Sequence, residues 1–143
     1  MTKILQCVTP IDGTIYAERP VLSSSEAQDA VNRAAKAQKA WAARPLSERI
    51  ALVRAGVARV GEMNEEIVPE LAWMMGRPVR YGGEFRGFEE RASYMADIAE
   101  EALKPIIVED SDSFERRIMR EPHGVVLVIA PWNYPYMTAV NTV

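Results

Sequence analysis

The feature of this 143-residue sequence that most constrains its fold is a run of five large aliphatic residues, Val125 to Ile129, between Gly124 and Pro131. A half-exposed strand would alternate apolar and polar residues, so the unbroken run predicts a strand buried on both faces inside a parallel sheet. The chain then turns at Pro131, and Asn133 with Pro135 indicates the beginning of a helix. Open α/β sheets bind ligands at such a succession of strand, turn and helix.

The beginning of the chain predicts a hairpin and an amphipathic helix. Residues 3–8 and 14–17 have the composition of two short strands around a turn that contains Pro10 and Gly13. Ser23 and Glu26 form a capping box. Behind that box, small residues and one tryptophan repeat at spacings of three and four, which predicts a helix whose largest core side chain is the tryptophan. These residues are Ala27, Ala30, Ala34, Ala37 and Trp41.

Three more helices follow in the predicted structure. Ser47 is the predicted cap of the second helix, which has a stripe of aliphatic residues at helical spacing. The third helix is expected from Asn64 to Met75, with Gly76 as a left-handed cap. The fourth is expected to extend from Tyr81 until Pro105 closes it. Three glycines near its beginning, Gly82, Gly83 and Gly87, do not match a phosphate-binding loop, because no Lys-Ser or Lys-Thr pair follows them.

Residues 106–108 and 114–119 predict a second antiparallel hairpin around an acidic turn. The two edges of a two-stranded sheet are unpaired, and such edges often pair with another subunit. The turn carries Glu109, Asp110 and Asp112, but it lacks the glycine and the distal glutamate of a calcium loop. We therefore expect a solvated turn and no metal site.

Charge and composition exclude several classes of function. The net charge is -3 with both signs interspersed, so the sequence has no basic stripe for nucleic acid or an anionic membrane surface. No apolar run approaches the roughly 20 residues that span a bilayer, and the first residues do not have the pattern of a secretory signal. A single cysteine, Cys7, cannot form an internal disulfide, which fits a reducing compartment. We expect a cytoplasmic protein.

The segment from Pro122 to Pro135 resembles the Pro-x-Gly-Val-x-x-x-Ile-x-Pro-Trp-Asn-x-Pro motif of the NAD(P)-dependent aldehyde dehydrogenase superfamily. The resemblance extends back along the chain through residues 9–13, Trp41 and the tripeptide Gly-Arg-Pro at residues 76–78. It implies an α/β fold: the amino-terminal portion of an aldehyde dehydrogenase-like fold, with helices and short hairpins leading into the first parallel strand of a Rossmann-like sheet. It also implies three parts, at residues 1–104, 105–121 and 122–143. They correspond to the beginning of the cofactor-binding domain, an oligomerisation hairpin and the start of the Rossmann-like sheet.

The resemblance further implies roles for the residues of the motif. Asn133 would donate its side-chain amide to the oxyanion, although a simple helix-cap role remains an alternative. The side of the cleft that holds the nicotinamide of NAD or NADP would be formed by Ile129, Ala130, Pro131 and Trp132, and core and turn roles would explain these four residues equally well. Tyr134 and Tyr136 would lie where the tunnel for a small-molecule aldehyde begins, and packing is an alternative for both. The family resemblance also implies a homo-oligomer, either a dimer or a tetramer.

The resemblance places the family's cysteine nucleophile, glutamate base and ribose-binding lysine beyond Val143. Cys7 is predicted to lie in the first strand, without the neighbours that activate a thiol. His123 occupies a variable position of the motif, so we expect an exposed residue rather than an acid or base. The 143 residues are therefore expected to be inactive alone, as a fragment of an enzyme that oxidises aldehydes through a cysteine thioester. The alternative is a non-catalytic module that associates through its exposed strand edges.

Overall fold

A computed structural model describes residues 3–142. Two antiparallel hairpins flank a helical region, and a short helix follows the second hairpin. The elements in chain order are β1 (Ile4–Val8), β2 (Ile15–Pro20), α1 (Ser24–Ala42), α2 (Leu46–Glu62), α3 (Asn64–Met75), a 3-10 helix (Val79–Tyr81), α4 (Phe85–Ala102), β3 (Ile106–Asp110), β4 (Glu115–Ile118) and α5 (Pro135–Ala139).

The core lies among α2, α3, α4 and α5. Helix α4 packs against both α2 and α5, while α3 contacts α2 and the 3-10 helix. The buried apolar side chains come from α3, from α4 and from the residue that follows α5. They are Ile67, Leu71, Ala72, Ala92 and Val140. This small core fixes the position of α5, and therefore of the turn that precedes it.

Both predicted hairpins are present. Strand β1 pairs with β2 from Ile4 opposite Pro20 to Val8 opposite Ile15, with one irregularity between Cys7 and Val8. In the second hairpin β3 pairs with β4, and its apolar side chains are exposed on both strands. Each sheet has two strands among the described residues, so every strand leaves one edge without a hydrogen-bonded neighbour there.

The expected buried strand at residues 125–129 is not found among the described residues. Residues 121–130 have no regular secondary structure, and the aliphatic side chains are exposed, with Leu127 81% exposed. A strand is stabilised by a neighbour that accepts and donates ladder hydrogen bonds, and no strand of residues 3–142 lies beside this run. The run is apolar, but it is exposed and has no strand partner among the described residues.

Several helix boundaries differ from the predictions. Helix α2 begins at Leu46 with Pro45 as its N-cap, so Ser47 lies in the first turn and does not cap it. Helix α4 begins at Phe85 because Gly82, at φ 66° and ψ -165°, interrupts the helical path after the 3-10 helix. Helix α1 has its predicted capping box, yet it has no fully buried residue, and Trp41 is 40% exposed. Trp41 lies beside a groove of about 760 Å³ between α2 and α4 rather than in the core.

No helix within residues 3–142 is both long enough and apolar enough to cross a bilayer. The same residues contain no cluster of three or more histidine, cysteine, aspartate or glutamate side chains that could hold a metal ion.

Gly76 and Gly56 form a matched pair for a test of stability. Gly76 ends α3 at φ 77°, and a Cβ there would lie 3.1 Å from Cγ of Pro10. Gly76→Ala is expected to lower the free energy of unfolding by about 1–2 kcal/mol, because a left-handed conformation is costly for alanine. Gly56→Ala, in open space within α2, is expected to raise it by about 0.5–1 kcal/mol. Urea unfolding measures both free energies. An unchanged free energy of unfolding in Gly76→Ala would contradict the left-handed cap.

Acid is expected to weaken the beginning of α1. The backbone N–H of Ser23 donates to the Glu26 carboxylate at 2.7 Å, and this bond, with that of the Ser23 hydroxyl, holds the pKa of Glu26 below its usual value of 4.5. A lowered folded-state pKa means that the stabilisation is present above pH 4.5 and is lost as the pH falls through the folded-state pKa. The helical circular dichroism should fall more steeply with acid in the wild type than in Glu26→Gln. Identical profiles would contradict the capping role of the carboxylate.

Candidate functional site

The residues after the exposed aliphatic run form a turn into α5. Residues 132–134 bend, and Tyr134 is the N-cap of α5 with φ 52° and ψ 56°. Tyr134 is the one non-glycine residue with positive φ among residues 3–142. Pro135 follows as the first residue of the helix, where its missing N–H is no loss. A left-handed tyrosine costs roughly 1–2 kcal/mol, so surrounding contacts must hold this turn.

Glu84 provides one of these contacts. Its side chain is 1% exposed, and its Oε2 accepts a hydrogen bond from the backbone N–H of Met137 at 2.9 Å. Met137 is the third residue of α5, whose N–H has no partner within the helix. Tyr134 makes no side-chain capping bond. A carboxylate 53 residues earlier in the sequence therefore caps α5.

Arg77 provides the second contact. Its Nη1 lies 2.7 Å from Oε1 of Glu84, and its side chain is 13% exposed. The same guanidinium lies 4.7 Å from the centroid of the Tyr134 ring. The ion pair neutralises a buried carboxylate that would otherwise be costly to bury, and the contact with the ring contributes roughly 0.5–2 kcal/mol. Arg77 thus connects the buried carboxylate with the left-handed tyrosine.

The local sequence explains how these groups meet. Gly76 ends α3 in the left-handed conformation, so Arg77 leaves the helix at its end. Glu84 is the N-cap residue of α4, directly after the glycine pair that separates the 3-10 helix from α4. One turn further, Gly87 faces α5, and a Cβ there would lie 2.9 Å from Sδ of Met137. A Cβ at position 87 would force the Met137 side chain to shift.

Asn133 is exposed in the turn, directly before the left-handed residue. The helix-cap alternative for Asn133 is wrong, because the N-cap of α5 is Tyr134. The expected cofactor residues Ile129, Ala130, Pro131 and Trp132 are also exposed, with Ile129 at 82% and Trp132 at 78%. These residues therefore form one continuous exposed segment that continues through Asn133 to Tyr134.

The two tyrosines have different surroundings. Tyr134 is about half exposed, and its ring faces the Arg77 guanidinium. Tyr136 is partly buried on α5. Burial, followed by the negative charges of Glu70 and Glu84, raises the pKa of the Tyr136 hydroxyl above its usual value of 10.0. The hydroxyl is therefore uncharged near neutral pH.

Neither Glu84 nor a separate role for Arg77, which is part of the Gly-Arg-Pro tripeptide, is predicted from the sequence motifs. A signal was available, because the apolar stripe of α4 includes Phe88 and Ala92, and one step of four residues back from Phe88 reaches Glu84. A carboxylate that is buried together with an apolar stripe needs a cation or a hydrogen-bond donor, because an unpaired buried charge is costly. The other titratable groups considered above, Cys7 in β1 and the exposed His123, belong to other parts of the fold.

Comparisons with known proteins identify the family. The sequence model described as "Aldehyde dehydrogenase family" matches residues 2–143, and the chain belongs to this family. A benzaldehyde dehydrogenase [NAD(+)] of Pseudomonas putida is 32% identical over 98% of this chain and 29% of its own length. A succinate-semialdehyde dehydrogenase [NADP(+)] of Deinococcus radiodurans is 29% identical over 94% of this chain and 28% of its own length. The chain thus spans less than a third of the length of these relatives.

Solved structures have the same fold. An NADP-dependent glyceraldehyde-3-phosphate dehydrogenase from Bacillus halodurans, complexed with NADP, matches with a TM-score of 0.85 and 30% identity. A NAD-dependent benzaldehyde dehydrogenase from Corynebacterium glutamicum matches with a TM-score of 0.85 and 28% identity. Each comparison covers 96% of this chain and 30% of the solved chain. The helices and short strands described above are therefore those of the α/β aldehyde dehydrogenase fold.

The buried ion pair predicts a large loss of stability when one partner is removed. Arg77→Met leaves the Glu84 carboxylate without its cation and is expected to lower the free energy of unfolding by about 3 kcal/mol. Arg59→Met is the matched control, because Arg59 pairs with Glu62 at the surface and both side chains are more than 60% exposed. Arg59→Met should lower the free energy of unfolding by about 0.5 kcal/mol or less. Equal losses in urea unfolding would contradict the burial of the Arg77–Glu84 pair.

Proposed function

We propose that the protein containing these residues oxidises an aldehyde to a carboxylic acid with NAD or NADP, and that Asn133 donates a hydrogen bond to the oxyanion. One observation carries the proposal: an exposed amide side chain lies in a turn that a buried charged network holds in place. An uncharged donor suits this role because it does not titrate, and a donor fixed in advance loses little energy by reorganising during the reaction. Membership of the family supports the class of reaction.

In the proposed reaction a cysteine thiolate attacks the carbonyl carbon, and the carbonyl electron pair moves to the oxygen, where Asn133 donates. A nicotinamide cofactor held beside residues 129–132 would supply the acceptor for the hydride that leaves this carbon as the oxyanion collapses to a thioester. Water then attacks the thioester carbonyl, the carbon–sulfur bond breaks, and the acid and the thiol are released. The one thiol in residues 1–143 is Cys7, which lies in β1. We therefore propose that the nucleophile and the base belong to another part of the polypeptide, and that residues 1–143 are inactive alone.

The residues proposed to contact the cofactor fit a flat, partly apolar ring. The Ile129 and Trp132 side chains are free to make contact, and the backbone of residues 121–130 is not engaged in a ladder. Tyr134 and Tyr136, the latter with an uncharged hydroxyl near neutral pH, would border the aldehyde. We propose a small-molecule aldehyde as the substrate. The relatives named above use NAD in one case and NADP in another.

We also propose a domain organisation and a subunit contact. Residues 1–104 and 122–143 would belong to the cofactor-binding domain, where the run at 125–129 would pair with further parallel strands. Residues 105–121 would join subunits of a homo-oligomer, because the β3–β4 hairpin exposes apolar side chains and unpaired edges. The same edges would serve the alternative function, a non-catalytic module that self-associates. A single thiol and a net charge of -3 support a cytoplasmic protein without nucleic-acid or membrane partners.

Replacement of Asn133 tests the proposed role. In the active enzyme that contains this chain, Asn133→Ala should lower kcat by about a hundred- to a thousandfold, because the oxyanion loses a donor. The Michaelis constant for the aldehyde should change less, since the contact forms in the transition state. Steady-state assays with propanal and benzaldehyde, each with NAD and with NADP, measure both constants. His123→Ala is the control and should retain wild-type kcat. An Asn133→Ala enzyme with wild-type kcat would refute the assignment.

Purified residues 1–143 should show no aldehyde oxidation in the same assays, with an intact mass near 16.0 kDa. The reason is that the one thiol of these residues, Cys7, lies in hairpin strand β1, and the nucleophile is proposed to belong to another part of the polypeptide. Activity at that mass that disappears in Cys7→Ser would identify Cys7 as the nucleophile and overturn this account. A stable oligomer without activity would favour the self-associating module for the isolated residues.

A further inference from the structure

We propose that Glu84 and Arg77 are positioning residues for the oxyanion donor, and that they set the rate of the reaction by fixing the turn that carries Asn133. This inference rests on the proposed function. Neither side chain is assigned a contact with the substrate or the cofactor. Both act through the two residues that determine the direction of the chain around Asn133, which are Tyr134 and Met137.

The contacts that hold the turn are made by residues that follow Asn133 in the sequence. Before Asn133, residues 121–130 have no regular secondary structure and no strand partner among the described residues, so no strand ladder holds the turn there. After Asn133, the Arg77 guanidinium lies over the ring of Tyr134, and the Glu84 carboxylate accepts a hydrogen bond from the N–H of Met137. The direction of the Asn133 side chain therefore depends on contacts made by its carboxyl-terminal neighbours.

The chemistry of Glu84 is specific because both carboxylate oxygens have a donor. Oε1 accepts from Arg77 at 2.7 Å, and Oε2 accepts from the Met137 N–H at 2.9 Å. A glutamine at this position has one acceptor oxygen and one donor nitrogen. Its NH₂ group would face either the guanidinium or the Met137 N–H, donor against donor. Glu84→Gln thus preserves size and removes one of the two contacts, whichever way the amide is oriented.

Arg77 has a different requirement. It supplies one N–H to Glu84 and a cation over the Tyr134 ring. Lysine can supply a charged donor and a cation, although without the planar fork of arginine. Methionine has a comparable length and supplies neither. Arg77→Lys should therefore retain most of the positioning, whereas Arg77→Met should lose it.

A double-mutant cycle between Glu84→Gln and Asn133→Ala tests the inference in the active enzyme that contains this chain. Glu84→Gln should lower kcat for benzaldehyde about ten- to a hundredfold, since a small misplacement of a catalytic group costs up to that much. In the Asn133→Ala background the same substitution should have little further effect, because the group through which it acts is absent. Glu62→Gln, at an exposed ion pair on α2, is the control and should leave kcat unchanged.

Each outcome has one meaning. Wild-type activity with a large Asn133→Ala effect establishes the proposed function separately, and the cycle then tests the inference alone. An equal loss of kcat from Glu84→Gln in both backgrounds, or no loss in either, would overturn the positioning role.

If Glu84→Gln does not fold, Arg77→Lys and Arg77→Met provide the test. A kcat near wild type for Arg77→Lys and a lower kcat for Arg77→Met support the role. Equal kcat values for the two would overturn it. A wild-type enzyme inactive on propanal and benzaldehyde with both cofactors would overturn the proposed function, and the inference with it.

Discussion

The local structure around the site depends on one buried carboxylate. Glu84 lies where the end of α3, the beginning of α4 and the beginning of α5 meet, and its two oxygens bind groups from two of these places. A charge buried without partners would neutralise or unfold the region around it. With Arg77 and the Met137 N–H as partners, the carboxylate joins segments that lie 53 residues apart in sequence. The turn that contains Asn133 and Tyr134 is a consequence of that junction.

The same chain leaves much apolar surface uncovered. Helix α1, the β3–β4 hairpin and the aliphatic run at 125–129 expose large hydrophobic side chains, and contiguous surface of this kind is typical of faces that contact more protein. The structure therefore combines a small core around α2, α3, α4 and α5 with elements that lack a covering layer among the described residues. Because the core includes α5, the proposed oxyanion donor is held by the better-packed part of the chain.

Local signals in the sequence were sufficient for several elements. The capping box at Ser23, the end of α3 and the left-handed Gly76 follow from backbone and capping rules that act within one helical turn. The beginning of α4 was misplaced because Tyr81 continues the apolar spacing, whereas the backbone of Gly82 breaks the helix. The resemblance located Asn133, but the sequence did not locate its support. Helical periodicity places Glu84 in line with the buried stripe of α4, but it does not identify Met137 as the partner, because that contact depends on how α4 and α5 pack.

Hydrogen exchange at the backbone amide of Met137, measured in the protein that contains these residues, tests the central claim most directly. The account predicts that this amide is protected, because its hydrogen bond goes to a carboxylate that is 1% exposed. Protection would show that the turn carrying Asn133 is fixed before substrate binds. Exchange at the rate of an exposed loop amide would show that Glu84 does not cap α5, and would contradict the structural basis of the proposed site.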